Sequence, residues 1–440
     1  MGRLSEDLVL NTGFLNLGLK FFDIERILRK IKRRKYKLIT NRYPIFNEII
    51  YSTDAFPLFT PRVPAIGDFN ILKKALSSAR LAEDVLGKKV ASRGIGLVSD
   101  VLDRAILSQL EQIFKNFTKY VEVAEKSKLY LPCYATKLYY GSILQNKDII
   151  DAVLTYKAPC IRVNESNEYA SQIIEDTILL DIPKCQESDN SLDMMVEETQ
   201  KFISNLENMA GPIDEDKVIE YTKMTNEIKE LYNAFFDIFK KGDYLPIAPQ
   251  SFRLMLSMLN SIFIDLISSP NHVIKNLTKL NNSLQKNLDE GKGYDASNSL
   301  RLFLLPSLGG FEYSIGDILA QNDAFLFYFD LYFYRLMEPI ETTGDWVRNH
   351  AKMALQFNES WSSIDTVVNE WVQCIKNFNV DAVIFSDMSG CDYLVNAKDQ
   401  FRSELEKSGI PMLSLPFTRL GENLETIESS IKSFLPTLRK

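Results

Sequence analysis

The sequence predicts an α/β protein, with two Rossmann-like domains built on parallel sheets and a helical region between and around them. Three observations predict this. Short apolar runs recur without polar alternation, as in strands covered on both faces. Helical patterns lie between many of these runs, which is the mark of βαβ layering. The runs fall into two groups, at about 128–183 and 301–417, with a long stretch of helical periodicity between them.

In order along the chain, a helical extension is expected over residues 1–40, and it ends in the basic run "RILRKIKRRKYK", Arg26 to Lys37. Such a run reads first as a solvated helix face; contact with a phosphate group or an acidic partner is the functional alternative. A first α/β domain is expected over 41–190, with strands in "KLYLPCY", "AVLTYKAPC" and "TILLDIPK". A helical region follows over 191–295. There Ile219, Met224, Ile228, Leu231, Phe235 and Ile238 recur at roughly helical spacing. The segments "SFRLMLSMLNSIFIDLI" and "HVIKNLTKLNNSLQKNLDEGKGYD" continue it, and the second stops at Gly291 and Gly293. The second α/β domain, 296–440, takes its strands from "RLFLLPSLGG", "FLFYFDLYF", "AVIFSD" and "PMLSLPF". The two strand groups share a coarse unit: a strand ending in a cysteine, a helix, then a strand closing at a proline. Duplication of one α/β unit and generic βαβ geometry both produce it.

Composition narrows the classes of function. At 440 residues, 45% hydrophobic and 25% charged, the chain can bury a sizeable core. A net charge of -7 argues against a nucleic-acid protein held by a general positive field. The most apolar run is interrupted by Arg253, Asn260 and Asp265, so no membrane span is expected. The start lacks a basic region followed by an apolar core, and Glu6 stands where myristoylation wants Ser or Thr. The expected location is the cytoplasm. Five cysteines in so long a chain form no disulfide framework, which leaves free thiols available to metals.

Those thiols are Cys133, Cys160, Cys185, Cys374 and Cys391. Free cysteine is commonly a small buried apolar group, and Cys374, inside the helical "NEWVQCIKNF", fits that reading. Cys133, Cys160 and Cys391 differ. Each follows a strand-like run and sits beside Pro132, Pro159 or Gly390. Three thiolates leave a four-coordinate zinc site one ligand short, and His272 and His350, in helix-like segments, are poor candidates for the fourth. An iron–sulfur cluster with one iron lacking a cysteine would suit three thiols. In "PSLGGFEYSIGDIL", Gly309 and Gly310 follow a strand and precede a helix. Their amides could approach an anion or a substrate carbonyl, or they could make an ordinary tight turn. The G-x-G at Gly94 and Gly96 lacks the flanking strand and third glycine of a dinucleotide motif.

The cysteine segments, taken in order, resemble the 2-hydroxyacyl-CoA dehydratase and benzoyl-CoA reductase family. Pro44 and Glu48 match its opening Pro-x-x-x-Glu segment. Cys133, Lys137 and Gly141 match a Cys-x-x-x-Lys/Arg-x-x-x-Gly helix start. "DAVLTYKAPC" with "ILLDIPK", and "VDAVIFSDMSGCDYL" with "GIPMLSLPF", resemble its two strand-end cysteine units, the last with Asp381, Cys391 and Asp392. The resemblance spans roughly 35–438. It implies a 4Fe–4S cluster on Cys133, Cys160 and Cys391 in a crevice between two α/β domains, with one open iron. It also implies an acyl-CoA substrate, a related second subunit or a homodimer, and a separate ATP-dependent iron–sulfur activator that supplies a low-potential electron. The reaction would be reductive loss of a hydroxyl from the acyl thioester, or ring reduction in the other branch. The chain departs from the pattern at Ala382, Pro416 or Phe417, and Ser430, where the family often carries glycine, an acidic residue and arginine. Two other readings follow: a non-catalytic structural or electron-transfer subunit, and a homodimeric double-cubane reductase of small molecules, for which Cys185 is the placed spare ligand.

Overall fold

The computed structural model describes residues 7, 11–63, 116–157, 159–183, 190–240, 243–306, 312–328, 336–359 and 363–439. Cys185, Gly94, Gly96, Gly309 and Gly310 lie outside them.

Helices α1 (Thr12–Phe22) and α2 (Ile24–Arg33) lead into β1 (Lys37–Thr40), α3 (Asn47–Tyr51) and β2 (Ala55–Leu58). A helix over 116–126 precedes α4 (Tyr134–Asn146). Then come β3 (Ala152–Tyr156), α5 (Ile161–Ser171) and β4 (Asp176–Leu180). The helical region holds α6 (Ser191–Ala210), α7 (Glu215–Lys240), α8 (Pro249–Asp265) and α9 (Pro270–Asp289), with a two-residue antiparallel clasp of β5 (Tyr244–Leu245) and β6 (Tyr294–Asp295). The second sheet domain holds β7 (Leu300–Leu305), α10 (Tyr313–Ala320), β8 (Ala324–Tyr328), α11 (Trp346–Glu359), α12 (Ile364–Asn377), β9 (Ala382–Met388), α13 (Asp392–Lys407), β10 (Met412–Phe417) and α14 (Leu424–Leu438).

Both four-stranded sheets are parallel, and both have the same topology. The first runs β2-β1-β3-β4 and the second β8-β7-β9-β10. In each, the chain order reverses between the first and third strands of the domain. At such a reversal the connections leave to opposite faces and open a crevice beyond the strands' carboxyl ends. The central strands are apolar throughout because both faces are covered: β3 and β7 are buried at every residue. Two expectations need correction. The run "KLYLPCY" is not a strand; Lys128 takes a left-handed φ of 61° and the chain goes irregularly into α4. Cys133 therefore caps a helix without following a strand. The first sheet instead takes β1 and β2, which reach back to Lys37.

The two domains and the helical region share one apolar core, running from Phe14 to Leu435. The helix α8 is buried nearly all round, which explains an apolar run too broken to span a membrane. Among the described residues no helix is long and apolar enough to cross one. Arg62 and Asp265, fully buried and 2.6 Å apart, tie the first domain to the helical region. Part of the basic run lies on the helix α2, Ile24–Arg33, and part beyond it. Ile24, Ile27 and Ile31 of α2 pack on Leu38, Leu58 and Val63, while residues 32–35 face solvent.

Candidate metal centre

Cys133, Cys160 and Cys391 occupy one structural position three times: each is the N-cap residue of a helix, α4, α5 and α13 respectively. A helix N-terminus presents unpaired amides and positive dipole ends, which favour a thiolate. Cys160 and Cys391 are also equivalent in topology. Each follows the third strand of its sheet, at the reversal point. Cys133 is added by α4, whose Lys137 amide bonds back to the Cys133 carbonyl at 3.0 Å.

The second domain brings its cysteine to the other two through a tight contact. Gly390 has a φ of +74°, and a Cβ there would lie 2.3 Å from the Pro132 carbonyl oxygen. Only glycine allows that approach, which sets Cys391 against Cys133. The neutral Cys133 thiol points at Met388 Sδ, 3.8 Å away. As a thiolate it accepts from the Cys391 thiol. That bond is the chief cause drawing Cys133 down to about 6; burial opposes it, and the Thr136 and Ala135 amides and Arg42 assist. The same bond, then burial and the Cys133 charge, push Cys391 up. Burial also raises Cys160, against the Val163 and Arg162 amides, and the Cys133 charge adds to it. All three thiols thus feel one another. They share charge as a group.

Around them stand residues that sequence reasoning missed. Arg42 follows β1 and is buried. It donates to Ser166 Oγ at 3.1 Å and to the Ala135 carbonyl at 3.3 Å, and its Cζ lies 4.4 Å from the Tyr139 ring centroid. Burial works against its charge, yet Tyr43, Tyr156, Tyr139 and Cys133 hold it above its ordinary value. Arg162, in the first turn of α5, reaches Asp392 in the first turn of α13 at 2.5 Å and lies 5.4 Å from the Tyr130 ring centroid. Glu125 takes Lys137 at 2.8 Å from its own domain and Arg419 at 2.7 Å from the other. Beside them a cavity of about 280 Å³ is lined by Glu125, Leu129, Leu131, Pro132 and Lys137. Phe417, at the end of β10, packs edge-on to Tyr134, with ring centroids 5.2 Å apart. The long sequence separations of these pairs hid them, and Arg42 has no motif of its own.

The remaining candidates stay apart. Cys374 is buried in α12, and burial pushes it to about 12. His350, in α11, bonds the Trp346 carbonyl and Thr222, and His272 lies in α9. Neither is among the residues around the thiols. Gly141 explains its place in the motif: a Cβ there would lie 1.9 Å from the Tyr120 carbonyl oxygen, where the helix over 116–126 crosses α4.

Among the described residues, no group of three or more His, Cys, Asp or Glu stands ready for a single metal ion. A polynuclear cluster asks for a different spacing, because its thiolates bind separate metal atoms. Three thiols at three helix N-termini, with a buried cation behind them, suit that donor chemistry.

Two doubly wound domains on one shared core, with helix-capping cysteines from both brought together, define the class of protein. The chain belongs to the family of the 2-hydroxyglutaryl-CoA dehydratase D-component, whose family model matches residues 47–438. No curated protein matches it. Membership makes it a component of a 2-hydroxyacyl-CoA dehydratase system.

Proposed function

We propose that the chain is the iron–sulfur component of an enzyme that reduces an acyl-CoA thioester, with Cys133, Cys160 and Cys391 as the three protein ligands of a 4Fe–4S cluster. The observation that carries this is the convergence of three N-capping cysteines, two from one sheet domain and one from the other. When bound, such a cluster supplies a low-potential electron and a Lewis-acidic iron.

The chain's own residues would do the rest. The amides of α4, α5 and α13 stabilise thiolates and offset cluster charge. The cavity by Pro132 has apolar walls, and Lys137 and Glu125 are among its lining residues. It suits the thioester arm, with Lys137 free to orient a carbonyl or phosphate oxygen when the substrate displaces Glu125. Burial of Cys133 and Tyr134 keeps bulk water from the reacting end. Gly309 and Gly310, outside the described residues, are proposed to bind substrate through their amides, at an anion or the substrate carbonyl. The partners in this reading are a related second subunit or a second copy, and an ATP-dependent iron–sulfur activator.

One observation favours a second reading, a non-catalytic or electron-transfer subunit. Phe417, at one of the two places where an acidic residue is common in relatives, is buried against Tyr134 next to Cys133. It offers no proton to a leaving hydroxyl.

Anaerobic reconstitution with iron and sulfide tests the first reading. The chain is expected to hold about four irons, and Cys391→Ala to lose most of them. A colourless, iron-free chain would sink it. Roughly eight irons would favour the double-cubane alternative.

A further inference from the structure

The buried guanidinium of Arg42 is a charge near the thiols that their motif does not account for, and unlike Arg162 it has no carboxylate partner among the described residues. It sits two residues past β1, at the reversal point of the first sheet, where β1 pairs with β3. Its two hydrogen bonds go to neutral acceptors, Ser166 Oγ and the Ala135 carbonyl. A buried cation held only by neutral dipoles and one aromatic face is costly, and such a group calls for an anion nearby. The bond to Ala135, two residues past Cys133, sets the guanidinium beside the cap of α4, where an anionic cluster on the thiols would supply one.

The hydrogen bonds also define a place. Ala135 is in the first turn of α4 and Ser166 is in α5. One guanidinium therefore spans the two helices whose caps are Cys133 and Cys160.

We propose that Arg42 is a positioning residue of the crevice: it fixes the N-termini of α4 and α5 relative to each other and supplies the positive charge that offsets an anionic iron–sulfur cluster, raising its reduction potential. This rests on the cluster reading above. The sign follows from charge. Reduction adds a negative charge, and a fixed cation stabilises the reduced form more than the oxidised one. Water cannot screen it there, because Arg42 is 7% exposed.

The test is a redox titration of the reconstituted chain followed by electron paramagnetic resonance, with iron counted in each sample. Arg42→Gln keeps hydrogen-bonding capacity and removes the charge. It is expected to shift the couple at least tenfold towards the oxidised form, about 59 mV downwards for one electron. Arg42→Lys keeps the charge and should recover most of the shift. Ser166→Ala removes one bond and leaves the charge, so its potential should stay near that of the parent chain. Ser166→Asp puts a carboxylate against Arg42, and should lower the potential as Arg42→Gln does; it carries the test alone if Arg42→Gln does not fold. An iron-loaded Arg42→Gln or Ser166→Asp chain with the parent potential would overturn the role of Arg42 and leave the cluster standing. A parent chain that takes no iron would remove both.

Discussion

At the scale of single residues, the chain separates its thiols by where the helices place them. Cys133 faces Cys391, Met388 and backbone amides, whereas Cys374 is enclosed in α12. The account therefore predicts a contrast between variants. Cys133→Ala and Cys160→Ala should each lose bound iron, read by iron analysis, with little change in fold. Cys374→Ala should keep full iron and lose about 1 kcal/mol of stability. Iron loss in Cys374→Ala at unchanged stability would contradict the assignment.

A second residue matters through pH. Lys229 is buried, and desolvation pulls it down to about 8 although Glu48 and Glu338 favour its charge. Its ordinary value is 10.5. Between those values the unfolded chain binds more protons at this site, so its contribution to stability rises with pH. Over that window the gain is of the order of 3 kcal/mol. Lys229→Met should lack this rise. Urea unfolding of both chains at pH 8 and pH 10 measures it, and parallel changes in the two would refute the burial argument.

At the scale of elements, the strands buried on both faces were legible because they lack polar alternation, with a single polar residue in each quoted run: β3, β7 and β9 read directly from "AVLTY", "LRLFLL" and "AVIFS". β1 and β2 were not. Each has four residues, and β2 contains Pro57, which its edge position tolerates because one side of the strand needs no ladder partner. "KLYLPCY" has the apolar content of a strand, but it lies in the irregular approach to a helix cap. Cys160 and Cys391 were legible from the strands before them, whereas the run before Cys133 is not the strand expected; Arg42 and the pairs Arg162–Asp392 and Glu125–Arg419 were not legible, since each depends on elements that meet only in the fold.

Two element junctions carry predictions. Asp265 accepts from Arg62 and from the amides of Phe59 and Ile267. Asp265→Ala leaves Arg62 buried and unpaired, and should cost about 3–5 kcal/mol in chemical unfolding. A cost under about 1 kcal/mol, the range of exposed pairs, would mean water reaches Arg62. At the crevice, Gly390→Ala forces a Cβ towards the Pro132 carbonyl. Iron retention should fall more steeply than thermal stability, because the clash separates Cys391 from Cys133 while the shared core stays intact.

At the scale of the whole molecule, two sheets of identical strand order share one core, and helix termini from both domains meet where Gly390 packs on Pro132 and Cys133 on Met388. The shared order supports a repeated α/β unit more strongly than the cysteine–helix–proline pattern did alone. Cys160 and Cys391 are its equivalent positions, and Cys133 comes from the helix before β3. A core continuous from Phe14 to Leu435 holds the domains together. The exposed Arg162–Asp392 pair then adds little: Arg162→Ala should cost roughly 0–1 kcal/mol.

The central claim is that three thiols from two domains share one cluster. Anomalous diffraction at the iron edge, on crystals of the anaerobically reconstituted chain, tests it most directly. The account predicts one compact iron peak bonded to the sulfurs of Cys133, Cys160 and Cys391, with one iron free of cysteine. Iron bound elsewhere, or a peak that leaves out Cys391, would contradict it.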